Sequence, residues 1–304
     1  MPRSPLPTFV LLSALLAGAS PALADGPAVP PAGWTQGRVL TDDGARLNYW
    51  RTGGDKPPLV LLHGFSDDGL CWTEVASKLE ADFDVIMTDA RGHGLSDPPA
   101  ADDPMAAQVR DIGTVIEALG LKDPIVMGHS MGSASAAAFA AASPDVPRAV
   151  VLVDPRLTPW PQRRGGGNDD GDAADRERRA MRQILDRNNT PYEDLLAQCQ
   201  RQSPGWSRTE CEYWARSKRL YHPHLARRSG GERKSMGELF QTITAPTLIL
   251  KADASAEERA EHQAVADALA AGRLVHIPNA GHSVHRDELE RFLAELDAFL
   301  DGLK

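Results

Sequence analysis

Cysteine is scarce in this chain, with three residues in 304, namely Cys71, Cys199 and Cys211. That is too few for a scaffold built from disulfides, and no Cys/His spacing matches a zinc site. Positive charge is in deficit as well. Lys plus Arg number 33 against 42 Asp plus Glu, a formal charge of −9. A generic nucleic-acid binder needs net or clustered positive charge for its phosphate contacts, so that class is excluded. Long apolar runs are missing: beyond the first 24 residues no stretch approaches the length that spans a bilayer. Heptads do not persist, Gly and Pro are scattered, and no internal repeat is evident, which excludes coiled-coil, collagen-like and solenoid architectures. What is present, 42% hydrophobic and 25% charged residues, is the composition of a folded protein and too apolar for disorder along most of the chain.

The N-terminus reads as an export signal. Arg3 supplies a short positive start, Thr8 to Ala19 an apolar core of about a dozen residues, and Ala22-Leu23-Ala24 the small residues a signal peptidase requires. Cleavage after Ala24 is expected to leave a Pro/Gly-rich leader over 25–35 and a secreted or periplasmic protein with no membrane anchor. An oxidising compartment permits a disulfide, and Cys199 and Cys211 flank a turn signal at Ser203-Pro204-Gly205. Whether they pair depends on a Cα separation that spacing alone leaves open. Cys71 reads as a small buried thiol.

Beyond the leader, short apolar runs alternate with helical patterns. Strands are expected at Pro58 to Leu62, Asp84 to Asp89, Pro124 to Gly128, Ala149 to Val153, Pro246 to Leu250 and Arg273 to Ile277. Continuous apolar runs of this kind suit strands buried on both faces. Helices are expected at Met105 to Leu119, Ser133 to Ala142, Glu257 to Ala271 and Arg286 to Leu300. Gln36 to Trp50 adds two antiparallel edge strands around a turn at Asp42-Asp43-Gly44. The sum is an α/β fold with a mostly parallel eight-stranded sheet, its core formed by 36–154 and 241–304. The intervening 155–240 contains no convincing buried strand and reads as a helical cap. It carries 17 Lys/Arg against 12 Asp/Glu, a net +5. That excess reads as a solvated helical surface; the alternative is a cap that attracts an anionic substrate.

The chemistry concentrates at Gly128-His129-Ser130-Met131-Gly132, which follows a strand and precedes an Ala-rich helix. In that context the pattern G-x-S-x-G presents a serine on a sharp strand-to-helix turn, its glycines removing side chains that would collide. Ser130 is therefore the candidate nucleophile. Its base is read as His282, in Asn279-Ala280-Gly281-His282-Ser283 after the last strand, because a loop there crosses the same sheet edge. His285, the nearest competitor, falls where a helix begins and should point elsewhere. Two N–H donors must face the developing oxyanion. They are assigned to Met131 and, from the loop His63-Gly64-Phe65-Ser66-Asp67, to Phe65, with Gly64 allowing close approach.

These motifs resemble the α/β-hydrolase superfamily of the capped type. The likeness covers about Gln36 to Leu300. It is carried by HGFSD (63–67), DARGHGLSD (89–97), GHSMG (128–132), VDP (153–155), PTLILKAD (246–253) and NAGH (279–282). In that family the acid of the triad usually stands after the strand here at Pro246 to Leu250, in a G-x-x-D pattern. This chain departs from it: Ala252 stands at the Gly position and Ser255 at the Asp position, with Asp253 two residues early. Ser255 and Glu258 instead form a capping box. The phrase VLVDPRL resembles a subgroup of amide- and lactone-cleaving members that place the acid at the end of the strand entering the cap, which is Asp154. Asp154 is favoured, with Asp253 as the alternative. The resemblance further implies a structural role for Arg91, His93 and Asp97. His63, Gly64, Trp72 and Trp160 are expected at the substrate pocket, with Trp206 and Trp214 as further wall candidates; packing in the cap core is the alternative for the tryptophans.

The expected activity is hydrolysis of an ester, lactone or amide of a small molecule by a Ser-His-Asp triad through an acyl-enzyme, with no metal or organic cofactor. The alternatives are carbon–carbon bond hydrolysis on the same fold and a ligand-binding member without turnover. Dehalogenase and epoxide-hydrolase chemistry would need Asp where Ser130 stands.

Overall fold

A computed structural model describes residues 29–99, 105–158, 173–226 and 234–303. The signal segment, most of the leader, Trp160 and the Gly-rich stretch of the cap lie outside them.

Eight strands form one sheet in the order β1-β2-β4-β3-β5-β6-β7-β8. They are β1 (Thr35–Leu40), β2 (Arg46–Arg51), β3 (Pro58–Leu62), β4 (Asp84–Thr88), β5 (Ile125–His129), β6 (Ala149–Val153), β7 (Thr247–Lys251) and β8 (Gly272–His276). The first two pair antiparallel with each other, and β2 pairs antiparallel with β4; all other pairings are parallel. The five-residue strands β4 to β7 are buried throughout, because helices cover both faces and only apolar runs tolerate that.

One face is covered by α2 (Met105–Ala118), α3 (Met131–Ala142), α7 (Met236–Phe240) and α8 (Ala256–Ala266). The other packs against α1 (Thr73–Leu79), the short α9 (Val284–Asp287) and α10 (Leu289–Asp301). Helix α3 approaches the sheet most closely. A Cβ on Gly132 would fall 2.2 Å from the Leu62 carbonyl oxygen, and one on Gly128 would fall 2.2 Å from that of Gly132. These two glycines let the helix start directly behind Ser130. The expected C-terminal helix is broken instead at Glu288, whose extended φ of −138° separates α9 from α10.

Between β6 and β7 lie α4 (Ala173–Asn188), α5 (Tyr192–Gln202) and α6 (Arg208–Ser217), a helical insertion. Its C-terminal limit differs from the expectation at residue 240. Met236 and Phe240 of α7 are buried in the core beside α3, so the cap ends before α7. Helices α5 and α6 are joined by a Cys199–Cys211 disulfide with a Cα separation of 5.5 Å, buried among Leu195, Leu196 and Ala215. Cys71 is a buried free thiol.

Candidate active site

Strand β5 delivers Ser130 at its C-terminal end. The residue takes φ 51°, a left-handed conformation that costs a non-glycine residue free energy and is held by its surroundings. The Ser130 N–H donates to Val153 O (2.9 Å), and the Ser133 hydroxyl donates to both Gly128 O and Val153 O (2.5 and 2.9 Å). The turn is thus bolted to the end of the neighbouring strand β6, where the chain continues into Asp154.

His282 reaches back from the loop after β8. Its Nε2 lies 2.9 Å from Ser130 Oγ and its Nδ1 lies 2.5 Å from Asp154 Oδ2. A carboxylate accepts only, so Nδ1 carries the proton and Nε2 is left to accept the Ser130 hydroxyl hydrogen. Burial works to raise the Asp154 carboxyl, but the hydrogen bond from His282 and the charge of Lys251 outweigh it and hold the group at about 2. The acid is therefore ionised throughout the range in which an imidazole exchanges protons. Ser130 and the imidazole remain open to solvent, with the His282 side chain 60% exposed.

Asp253 does something else. Its Oδ2 accepts the Asn279 N–H (3.0 Å), its Oδ1 accepts from Ala254 N–H and Arg259, and its own N–H donates to Ala280 O. Its carboxylate is committed to the loop that carries His282, whereas Asp154 reaches the imidazole.

The loop after β3 closes on Ser130. A Cβ on Gly64 would lie 3.5 Å from Ser130 Cβ and 2.7 Å from His129 Nδ1, so no side chain fits there. Among the described residues the backbone N–H groups of Phe65 and Met131 find no acceptor. One stands on this loop and the other opens helix α3, where unpaired N–H groups and the helix dipole favour negative charge.

His63 is buried rather than lining an open wall. Its Nε2 accepts the Ala90 N–H (3.0 Å) and its Nδ1 donates to Gly64 O (2.7 Å), so it is a neutral clasp on the Gly64 loop. Trp72 is also corrected: at 1% exposure it packs in the core, its ring 4.3 Å from that of His285. It is the last residue of a 3₁₀ turn, Gly69–Trp72, whose residues are all buried. Trp206 donates from Nε1 to Asp287 Oδ1 (2.7 Å), and Trp214 packs on the α5–α6 cluster under Lys218, so both serve the cap's structure. The exposed aromatic at the site is Phe65 (57%), edge-on to Tyr221 and His93.

The sequence profile of the alpha/beta hydrolase family matches residues 59–295. The chain belongs to that family. Among curated relatives, the N-formylmaleamate deformylase of Pseudomonas putida is 28% identical to this chain over 271 residues, 87% of this chain and 96% of the deformylase. The 2-(acetamidomethylene)succinate hydrolase of Mesorhizobium japonicum is 33% identical over 110 residues, 36% of this chain and 39% of the relative. Uncharacterized mycobacterial proteins from Mycobacterium bovis and Mycobacterium tuberculosis match at 35% over 104 residues, only 30% of their own length. Among solved structures, E-2-(acetamidomethylene)succinate hydrolase superposes with TM-score 0.71 at 22% identity, covering 88% of this chain and 99% of that one. An esterase from Rhodococcus gives 0.67 at 22% identity with the same coverage. At such identities these two superpositions speak to the fold alone.

Three groups of residues around the site escaped the sequence reading. His129, inside the GHSMG motif, donates from Nε2 to His282 O (2.8 Å) and thereby holds the base's loop. Burial first, then the charges of His282 and Arg286, hold it down to about 4, so it stays neutral. Lys251, at the end of β7, contacts Asp154 Oδ1. The third is a buried ionic cluster under the Gly64–Asp68 loop. Lys218, just past α6, contacts Asp67 and donates to Ser66 O (2.8 Å); Arg216 pairs with Asp68; Arg286 pairs with Asp67 and Glu210. Signals existed for the first two, a polar residue beside the nucleophile and a lysine closing an apolar strand. The cluster joins residues far apart in the chain, such as Asp67 with Lys218 and Arg286, and left none. Arg91, by contrast, fulfils its structural expectation, bridging Asp43 and Asp111.

Proposed function

We propose that this hydrolase cleaves an ester, lactone or amide of a small molecule by nucleophilic catalysis. The observation that carries the reading is the unbroken line Ser130 Oγ, His282 Nε2, His282 Nδ1, Asp154 Oδ2, with contacts of 2.9 and 2.5 Å. Ser130 attacks the carbonyl as His282 takes its proton; Asp154 holds the tautomer and stabilises the imidazolium. The Phe65 and Met131 N–H groups receive the oxyanion. The imidazolium then protonates the leaving group, and water, activated by the same histidine, releases the acid and restores Ser130. An amide-type bond in a small acidic substrate is the preferred class, on the strength of the full-length likeness to a deformylase. The +5 charge of the 155–240 segment is consistent with an anionic substrate. The site of action is outside the cytoplasm, on the strength of the N-terminal signal pattern.

A panel of p-nitrophenyl acetate, a simple lactone, and N-formyl and N-acetyl amides of small dicarboxylic acids tests the proposal. Turnover of at least one class that falls by about 10⁴-fold in Ser130→Ala is the expected result. Tight binding of a panel member with no turnover in the parent protein would assign the site to ligand capture instead.

A further inference from the structure

The two oxygens of Asp154 have different partners. Oδ2 faces His282 Nδ1 at 2.5 Å. Oδ1 accepts the Ala252 N–H at 3.2 Å and is contacted by Lys251 Nζ. Lys251 is not a surface lysine folding down by chance. Its side chain is 10% exposed, it closes a strand that is buried throughout, and Nζ makes a second bond to Pro155 O at 2.9 Å. The lysine thus spans the peptide just after a residue held at φ 45°.

A carboxylate shared in this way is already partly neutralised before the base takes up a proton. A second positive charge on the same carboxylate is disfavoured by the first. We propose that Lys251 is a positioning residue that fixes the carboxylate of Asp154 and, by its charge, extends turnover to lower pH than the Ser130-His282-Asp154 line would reach alone. The inference rests on the hydrolytic reading of that line.

Other charged or titratable groups surround His282. His129 on β5 lies 4.8 Å from it, ring to ring, and His285 on α9 lies 4.8 Å from His129; burial holds both imidazoles down, in the neutral form. Arg286 on α9 is engaged by Asp67 and Glu210, and Asp287 accepts the Gly281 N–H. Asp253 holds Asn279 and is itself paired with Arg259 of α8. On the far side of Lys251, His262 of α8 and His276 of β8 bond to each other at 2.9 Å, both held down chiefly by burial. Among the described residues, Lys251 is the one cation in contact with the Asp154 carboxylate, whose other side-chain partner is the His282 imidazole.

Lys251→Gln keeps an amide donor for Asp154 and Pro155 but removes the charge; Lys251→Met removes both; Lys251→Arg keeps the charge. Two readouts apply to each: the NMR titration midpoint of the His282 ring, assigned by its loss in His282→Gln, and the acid limb of kcat/KM for p-nitrophenyl acetate. Both are expected to move up by about one pH unit in the uncharged variants and to stay near the parent in Lys251→Arg. An unmoved His282 midpoint in a folded uncharged variant, or an equal move in Lys251→Arg, overturns the inference. So does loss of fold in both uncharged variants while Lys251→Arg folds, since that makes the lysine a structural clasp. The titration needs no turnover. A protein that hydrolyses nothing therefore defeats the proposed function while the Lys251 inference is still decided by the His282 midpoint.

Discussion

Asp154 and Asp253 sit on adjacent strand ends and have opposite duties, and the difference is set by which hydrogen-bond donors each one meets. Asp154 meets an imidazole and a lysine, whereas Asp253 meets two backbone N–H groups of its own loop system and an arginine. Replacing a carboxylate that orients a base by an amide leaves the shape but removes the charge that the imidazolium needs. Asp154→Asn is therefore expected to lower kcat by about 10³- to 10⁴-fold, while Asp253→Asn leaves turnover little changed. Steady-state kinetics on both proteins decide the assignment, and loss of activity confined to Asp253→Asn would reverse it. Gly64 offers a second test at this scale. A methyl group there would stand 2.7 Å from a ring nitrogen of buried His129. Gly64→Ala should push the Phe65 loop away from Ser130 and cut kcat by about 10²-fold, more than any change in KM. Binding of a boronic acid, which needs the oxyanion donors, should weaken with it.

Among the elements, those that could be read in advance were those whose signal is local. The apolar runs from Pro58 to Leu62 and from Ala149 to Val153 became strands with the bounds expected, and β4, β5, β7 and β8 lie within a residue of expectation. The strand–GHSMG–helix arrangement and the NAGH loop likewise pointed to Ser130 and His282, which the structure brings to 2.9 Å, because the turn chemistry lies within a few residues of each. The acid was ambiguous because the G-x-x-D pattern is broken at Ala252 and Ser255, and only the pairing of β5 with β6 and β6 with β7 decides which carboxylate reaches the imidazole. The break between α9 and α10 depends on tertiary packing, and so does the burial of Trp72, which periodicity could not separate from an aromatic at a pocket mouth. The link between α6 and the Gly64–Asp68 loop was hidden for the same reason. It is nevertheless testable. Lys218→Met leaves Asp67 with Arg286 alone in a buried setting, where loss of one ionic partner costs about 3 kcal/mol or more. Urea unfolding should register that loss. Because Lys218 also holds Ser66 O, kcat should fall while KM changes little.

At the scale of the whole molecule, four buried imidazoles dominate the response to acid. Burial is the first cause that holds His63, His93, His129 and His285 below the ordinary value of 6.5, with His129 at about 4. The unfolded chain takes up these protons first as pH falls, so the stability they confer is complete above about 6.5 and is lost towards 4. Burial acts the other way on Asp68, Asp89 and Glu210, raising the first and pushing the other two up to about 7, and these three favour the folded state as pH drops through the same window. Those four rings, joined by the less buried His222, His262 and His276, which burial also holds down, outnumber the three carboxyls and set the sign. The urea midpoint is expected to fall as pH is lowered from 6.5 to 4, and a midpoint that rises over that interval would contradict the neutral state assigned to the four rings. Asp154, held at about 2, adds its own loss only below about 4.

The polypeptide leaves the sheet for its helical excursion at Pro155, one covalent link beyond the carboxylate that steers the imidazole. Strain at the start of the insertion reaches that residue through a single peptide bond. Lys251, gripping Asp154 and the Pro155 carbonyl together, anchors this doorway. The exit of the chain into its insertion and the aim of the Asp154 carboxylate are thus secured by the same ammonium group.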